Sequence, residues 1–185
     1  MSMKASTVGL VAALAAALAA GSASAAPAYH PAQTPAEQAL GKILKADADH
    51  PDAVDPAVEL GSGRPPTKPP AGAPYLKYLT TPLATSILVD EANQVKKNCG
   101  GRYRRGEECG MGADPIICAQ DFPDSYLFRT TDVRPDSILI EAAWPPDPGK
   151  APEVSGSYRL KQVGGVWKLD AISCSGGDRY HWVGK

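Results

Sequence analysis

Three observations predict an α+β fold: a capped amphipathic helix, alternating strands that follow it, and four cysteines spaced for stapling rather than for ligating a metal. Helix first and antiparallel strands afterwards is the order of a segregated α+β domain, not of alternating βαβ units. Each element is taken below in chain order.

Residues 1–25 read as an export signal. One charge, Lys4, precedes an apolar Ala/Leu/Val run from Val8 to Ala20, and Ala23-Ser24-Ala25 supplies the small residues a signal peptidase needs. The run is shorter than the roughly 20 apolar residues that span a bilayer, and it lacks the amphipathic stripe of a buried helix. No cysteine follows for lipid attachment, and no second run of spanning length occurs later. The expectation is cleavage near Ala25 and a soluble periplasmic or secreted protein without stable membrane insertion. Cleavage removes one cation and no anion, taking the formal charge from −1 to −2. Such a near-neutral chain has no global drive toward nucleic acid or anionic lipid.

Residues 26–47 hold a short helix. Thr34 caps it, Pro35 suits its first turn, and Leu40, Ile43 and Leu44 recur at helical spacing. Residues 48–73 carry six prolines and three glycines with few large apolar side chains, the composition of an extended spacer that cannot offset its ordering entropy. The folded body is expected over 74–175, followed by a tail, 176–185. Within the body, Thr81-Pro82 opens a helix with Leu83, Ile87, Leu88 and Ala92 toward the core, and Lys96 and Lys97 complement the dipole of its last turn. Residues 116–120, IICAQ, read as a buried strand. Residues 137–144 alternate, which puts Ile138, Ile140, Ala142 and Trp144 on one face. Val163-Gly164-Gly165 marks a closing hairpin. Tyr158 and Leu160 are expected to share the core face with Trp167, Leu169 and Ala171, leaving Arg159, Lys161, Lys168 and Asp170 in water.

Cys99, Cys109, Cys118 and Cys174 are separated by nine, eight and 55 residues. Zinc sites want close pairs or histidines at fixed spacing, and His30, His50 and His181 all lie outside the expected body. An oxidising compartment captures four thiols as two disulfides. Three pairings are possible and spacing alone does not choose among them. The preferred one is Cys99–Cys109 with Cys118–Cys174, worth about 3 and about 4 kcal/mol on a chain-entropy model.

Several short motifs then carry a resemblance over residues 74–175. They are the capped helix after Tyr78-Leu79-Thr80, Ala113-Asp114-Pro115 with Ala119-Gln120-Asp121 close behind, the alternating strand, and Tyr158-x-Leu160 with Trp167-x-Leu169-x-x-Ile172. The ensemble resembles a family of small secreted bacterial proteins of unknown function, itself similar to the nuclear-transport-factor-2-like (cystatin-like) cone fold. The resemblance implies helices packed in the concave face of a curved antiparallel sheet. It implies no reaction, because that fold hosts isomerases, hydrolases and binding modules alike.

Two groups of residues invite a functional reading. Asp121 suits a general base at the cone mouth with Gln120 orienting a ligand, since an apolar pocket raises a carboxyl toward a useful pKa. Against this, Asp121 equally caps the turn before Phe122-Pro123, and neither a histidine nor a second acid stands at partner spacing. The aspartates also lack a calcium-loop pattern, so neither metal nor cofactor is expected. The second group is basic: Lys96, Lys97, Arg102, Arg104 and Arg105 surround Tyr103, and arginine forks suit phosphates and carboxylates. Glu107 and Glu108 neutralise part of that field. Arg102, Tyr103, Arg104 and Arg105 form the leading binding patch. In the tail, Tyr180, His181 and Trp182 suit either a saccharide or partner site or a cover for the sheet edge. No G-x-S-x-G, H-E-x-x-H or P-loop pattern occurs. The leading expectation is a non-enzymatic binding module for a partner protein or envelope component. The alternatives are a small hydrolase or isomerase using Asp121, and a structural envelope protein tethered through 48–73. Partner identity and oligomeric state are not written in the residues.

Overall fold

Thr34 starts the first helix as a full capping box: its side chain accepts from the Glu37 N–H while the Glu37 carboxylate takes the Thr34 N–H. In the computed structural model, which describes residues 28–58, 61, 63–118 and 122–174, this helix is α1 (Pro35–Asp49). After it come α2 (Pro51–Val54), a 3-10 turn at Pro74–Lys77, and α3 (Thr81–Cys99). Four strands follow: β1 (Leu127–Val133), β2 (Ser137–Trp144), β3 (Glu153–Val163) and β4 (Val166–Cys174). They pair as one antiparallel meander in the order β1-β2-β3-β4. The fold class is α+β, as expected.

The α1 stripe is what anchors the helix. Leu40, Ile43 and Leu44 are at most 2% exposed and join Leu83 and Ile87 of α3 with Phe128, Ile140, Tyr158, Leu160, Leu169 and Ile172 of the sheet in a single core. Burying a large aliphatic side chain is worth roughly 1.5–3 kcal/mol, so three on one short helix suffice to bring it in. The folded core therefore begins in the segment assigned to 26–47, not at residue 74. The spacer contributes too: Val54 is fully buried and Ala73 nearly so. Even His30 belongs to the body, exchanging backbone hydrogen bonds of 3.0 and 2.7 Å with Phe128. At the opposite edge of the sheet, Tyr78 and Thr80 bond the backbone of Leu169 on β4, each at 2.8 Å.

Every strand ladder contains one register shift, at Thr130/Asp132, Ala142/Ala143 and Arg159/Leu160. The third sets the face of β4. Arg159 pairs with Ala171 and Leu160 with Leu169, so Asp170 is the extra residue of a bulge. Leu169 and Ile172 thereby share the Tyr158 face although they lie three apart. Ala171, expected on that face, instead stands opposite Arg159. Asp170, expected in water, is 6% exposed; it binds Arg159 at 2.9 Å and Lys161 at 3.4 Å and accepts the Thr80 hydroxyl at 3.1 Å. The hairpin expected at Gly164-Gly165 closes with φ of 60° and 80°, the left-handed pair of a type I′ turn.

Residues 116–118 form a turn rather than the expected strand. Asp114 accepts the N–H groups of Ile116 and Ile117 at 2.7 and 3.0 Å, curling the apolar run into a loop whose two isoleucines are fully buried. Both disulfides match the preferred pairing, with Cα atoms 5.3 Å apart for Cys99–Cys109 and 5.2 Å for Cys118–Cys174. Gly156 makes room for the second: a Cβ there would lie 3.2 Å from Cys118 Sγ and 3.1 Å from the Ser173 carbonyl oxygen. Among the described residues, no helix is long and apolar enough to cross a membrane. The export signal, Gln120, Asp121, Tyr180, His181 and Trp182 lie outside the described residues.

Candidate functional site

The basic patch is built on the end of α3. Lys96 and Lys97 are exposed in its last turn, where cations offset the partial negative charge of the helix terminus. Gly100 then takes the left-handed conformation, φ 69°, that ends the helix. The chain turns back along the helix it has just left. Cys109 bridges Cys99, and the Asn98 side-chain amide donates to the Cys109 carbonyl at 3.2 Å.

Glu91 fastens this loop from inside. Only 2% exposed, it accepts the Tyr103 hydroxyl at 2.7 Å and the Met111 N–H at 2.8 Å. A Cβ at Gly110 would stand 2.0 Å from its carboxylate, so this close approach requires glycine. Tyr103 also gives its backbone N–H to Gly63 of the proline-rich segment at 2.9 Å. With Val95, Cys99 and Cys109 it forms a small second core. Tyr103 was expected among the contact residues; at 6% exposure it is the anchor beneath them. Arg102, Arg104 and Arg105 remain outside, all exposed. On their rim Arg104 pairs with Glu107 at 3.6 Å; both side chains are exposed, so the pair adds little in water.

Folding adds a cation that spacing did not reveal. Arg64 and Pro65 line a groove of about 310 Å³ with Lys96, Ala92, Gly100 and Gly101. Arg64 sits inside the proline-rich stretch, far from the loop in sequence, and the adjoining Gly63 accepts the Tyr103 N–H at 2.9 Å.

A second group, absent from sequence-based expectation, is acidic and buried. Asp47 near the end of α1 is fully enclosed, and neither carboxylate oxygen has a hydrogen-bond donor among the described residues. Asp114 lies within hydrogen-bonding reach of it, and Asp55 is near enough to be felt. Burial, then the charges of Asp114 and Asp55, push the Asp47 carboxyl far above the ordinary aspartate range. Burial also raises Asp114, in spite of the N–H groups of Ile117 and Ile116. Asp55 is pushed up to about 7, chiefly by burial, with the Ala57 N–H pulling the other way and Asp114 and Glu91 adding to the rise. At neutral pH, Asp47 keeps its proton and donates it to Asp114. The signal for Asp47 is its spacing: it continues the Leu40-Ile43-Leu44 stripe onto the buried face of α1.

Asp47 and Asp55 are buried and Asp114 half-buried, whereas the arginines are exposed. Only the second group is placed to meet a partner. Cys99, Glu107 and Cys109 bring their ligand atoms within 4.8 Å of one another, but sulfurs joined in a disulfide offer no thiolate to a metal. No protein-family model, curated protein or solved structure matches this chain.

Proposed function

We propose that this chain is an exported binding module that holds an anionic partner, a protein or an envelope component, on its basic loop. The observation that carries the reading is the clamped presentation of Arg102, Arg104 and Arg105. The disulfide, the Glu91–Tyr103 bond and the Tyr103–Gly63 bond order the loop before any partner arrives. A loop ordered in advance loses less entropy on binding, and guanidinium forks match carboxylates and phosphates. Five cations from Lys96 to Arg105 outnumber the two carboxylates of Glu107 and Glu108, and Arg64 adds to them. Both disulfides and the signal-like N-terminus support an oxidising, extracytoplasmic setting. Helices over one face of a sheet with a bulge in each ladder support the cone-like reading, since bulges bend and twist strands.

The test compares wild-type protein with the Arg102→Ala/Arg104→Ala/Arg105→Ala variant in capture from an envelope extract of the source cell. A partner retained by the loop is lost at raised salt and binds the variant roughly tenfold or more weakly. An identical captured set from both proteins removes the loop from the account.

A further inference from the structure

On another face of the molecule, the last turns of α1 and the entry into β1 enclose a cleft of about 430 Å³. Its aromatic lining comes from Phe122, Tyr126 and Phe128. The Tyr126 and Phe128 rings stand 6.4 Å apart, tilted by 36°, and Phe122 leaves 43% of its surface in water. Gly41 of α1 faces the Phe128 ring, and a Cβ there would lie 3.4 Å from the ring edge. The helix thus reaches the ring without a side chain between them.

The charges in this cleft are uneven. Lys45 pairs with Asp49 across one helical turn at 3.0 Å. Asp124, exposed on the opposite wall, has no ion pair among the described residues. The lining therefore carries one carboxylate more than it has cations. Burial, with Asp47 and Asp114 nearby, raises the pKa of the Tyr126 hydroxyl to about 12. That hydroxyl is itself buried, without a hydrogen-bond partner among the described residues.

We propose that this cleft binds a small organic cation, an alkylammonium group seated against the aromatic rings with Asp124 as its counter-charge. Ring faces carry negative quadrupole potential and attract desolvated cations, and quaternary ammonium groups are the ligands aromatic cages suit best. Anions are disfavoured by the surplus carboxylate. A neutral apolar ligand would use the rings but leave Asp124 without a role. The volume suits a ligand of small-molecule size. This site shares no residue with the basic loop and stands or falls independently of it.

The experiment is a nuclear magnetic resonance titration of the whole mature chain with choline chloride, in parallel with its uncharged isostere in which carbon replaces the quaternary nitrogen. The expected result is saturable shifts at the Phe122, Tyr126 and Phe128 rings with choline, and binding of the isostere weaker by about tenfold. Asp124→Asn weakens choline by roughly fivefold, and Phe122→Ala abolishes saturation. Both residues are exposed, so the thermal midpoint of each variant stays at the wild-type value and a folding defect is distinguished from a lost site. Equal affinity for choline and the isostere overturns the charge assignment, and absence of saturable shifts overturns the site.

Discussion

Glu37 at the start of α1 and Asp47 near its end are both shut away from water, at 1% and 0% exposure. Glu37 accepts the backbone N–H groups of Gln33 and Thr34, each at 3.0 Å, and the Thr130 hydroxyl at 2.9 Å. His30 Nε2 stands 3.8 Å away. Burial alone pushes its carboxyl up, but those donors and the histidine together hold it below the ordinary glutamate value. Among the described residues Asp47 meets no donor, and burial beside Asp114 and Asp55 raises its carboxyl. One helix thus buries a charge at one end and a proton at the other. Depth of burial does not decide which; the neighbours do.

The largest disturbance of this contrast comes from the second disulfide. Cys118 ends the Asp114 turn, its N–H bonding the Asp114 carbonyl at 3.1 Å, and its bridge to Cys174 fixes that turn to the end of β4. Replacing both cysteines by alanine is expected to cost about 4 kcal/mol, read as a lower urea midpoint. It also frees Asp114 from Asp47, so the pH dependence described next becomes shallower in the same variant.

Next in size is that pH dependence. A carboxyl raised on folding contributes stability that is complete below its unfolded pKa and is lost as pH climbs through its folded value. The window therefore opens near 3.8, the ordinary aspartate value, runs through about 7, where Asp55 titrates, and continues upward to Asp47. Urea midpoints measured across this range should fall with rising pH. Asp47→Asn should flatten the slope, because the amide still donates to Asp114 and has no proton to lose; an unaltered slope would show that the pair does not share one. Glu37→Gln gives the smallest effect and the opposite sign. Its loss of about 1–2 kcal/mol is present above 4.5 and fades as acid protonates the native carboxylate in the wild type.

Much of this was legible from residue order. Thr34-Pro35 announces α1, Thr81-Pro82 announces α3, although the cap itself is Thr80, and Gly164-Gly165 announces the last turn, because caps and tight turns are satisfied by neighbours in sequence. The cysteine pairing was also legible as a preference. What escaped depends on contacts remote in sequence. β1 is polar along much of its length and broken at Thr131, so its alternation is hidden. Ile116-Ile117 has strand propensity, but one aspartate side chain coils it into a turn. The proline-rich stretch is poor in apolar residues, yet Val54 and Ala73 find the core and Gly63 meets Tyr103. The site divides the same way. Its arginines are consecutive enough to be noticed, whereas Arg64, the inward turn of Tyr103 and the Asp47–Asp114 pair exist only once the chain has closed on itself.

The two bridges differ in the length of chain each encloses, with separations of 10 and 56 positions. Short loops close sooner and at lower entropic cost, so oxidative refolding has an inherent sequence of events. Cys99 and Cys109 can meet while the sheet is still unformed. Cys118 must remain reduced until β4 has taken its place, a waiting thiol whose protection is the timing of its neighbours. Acid-quenched thiol alkylation during refolding should catch an intermediate with the shorter link alone, and never the longer one by itself.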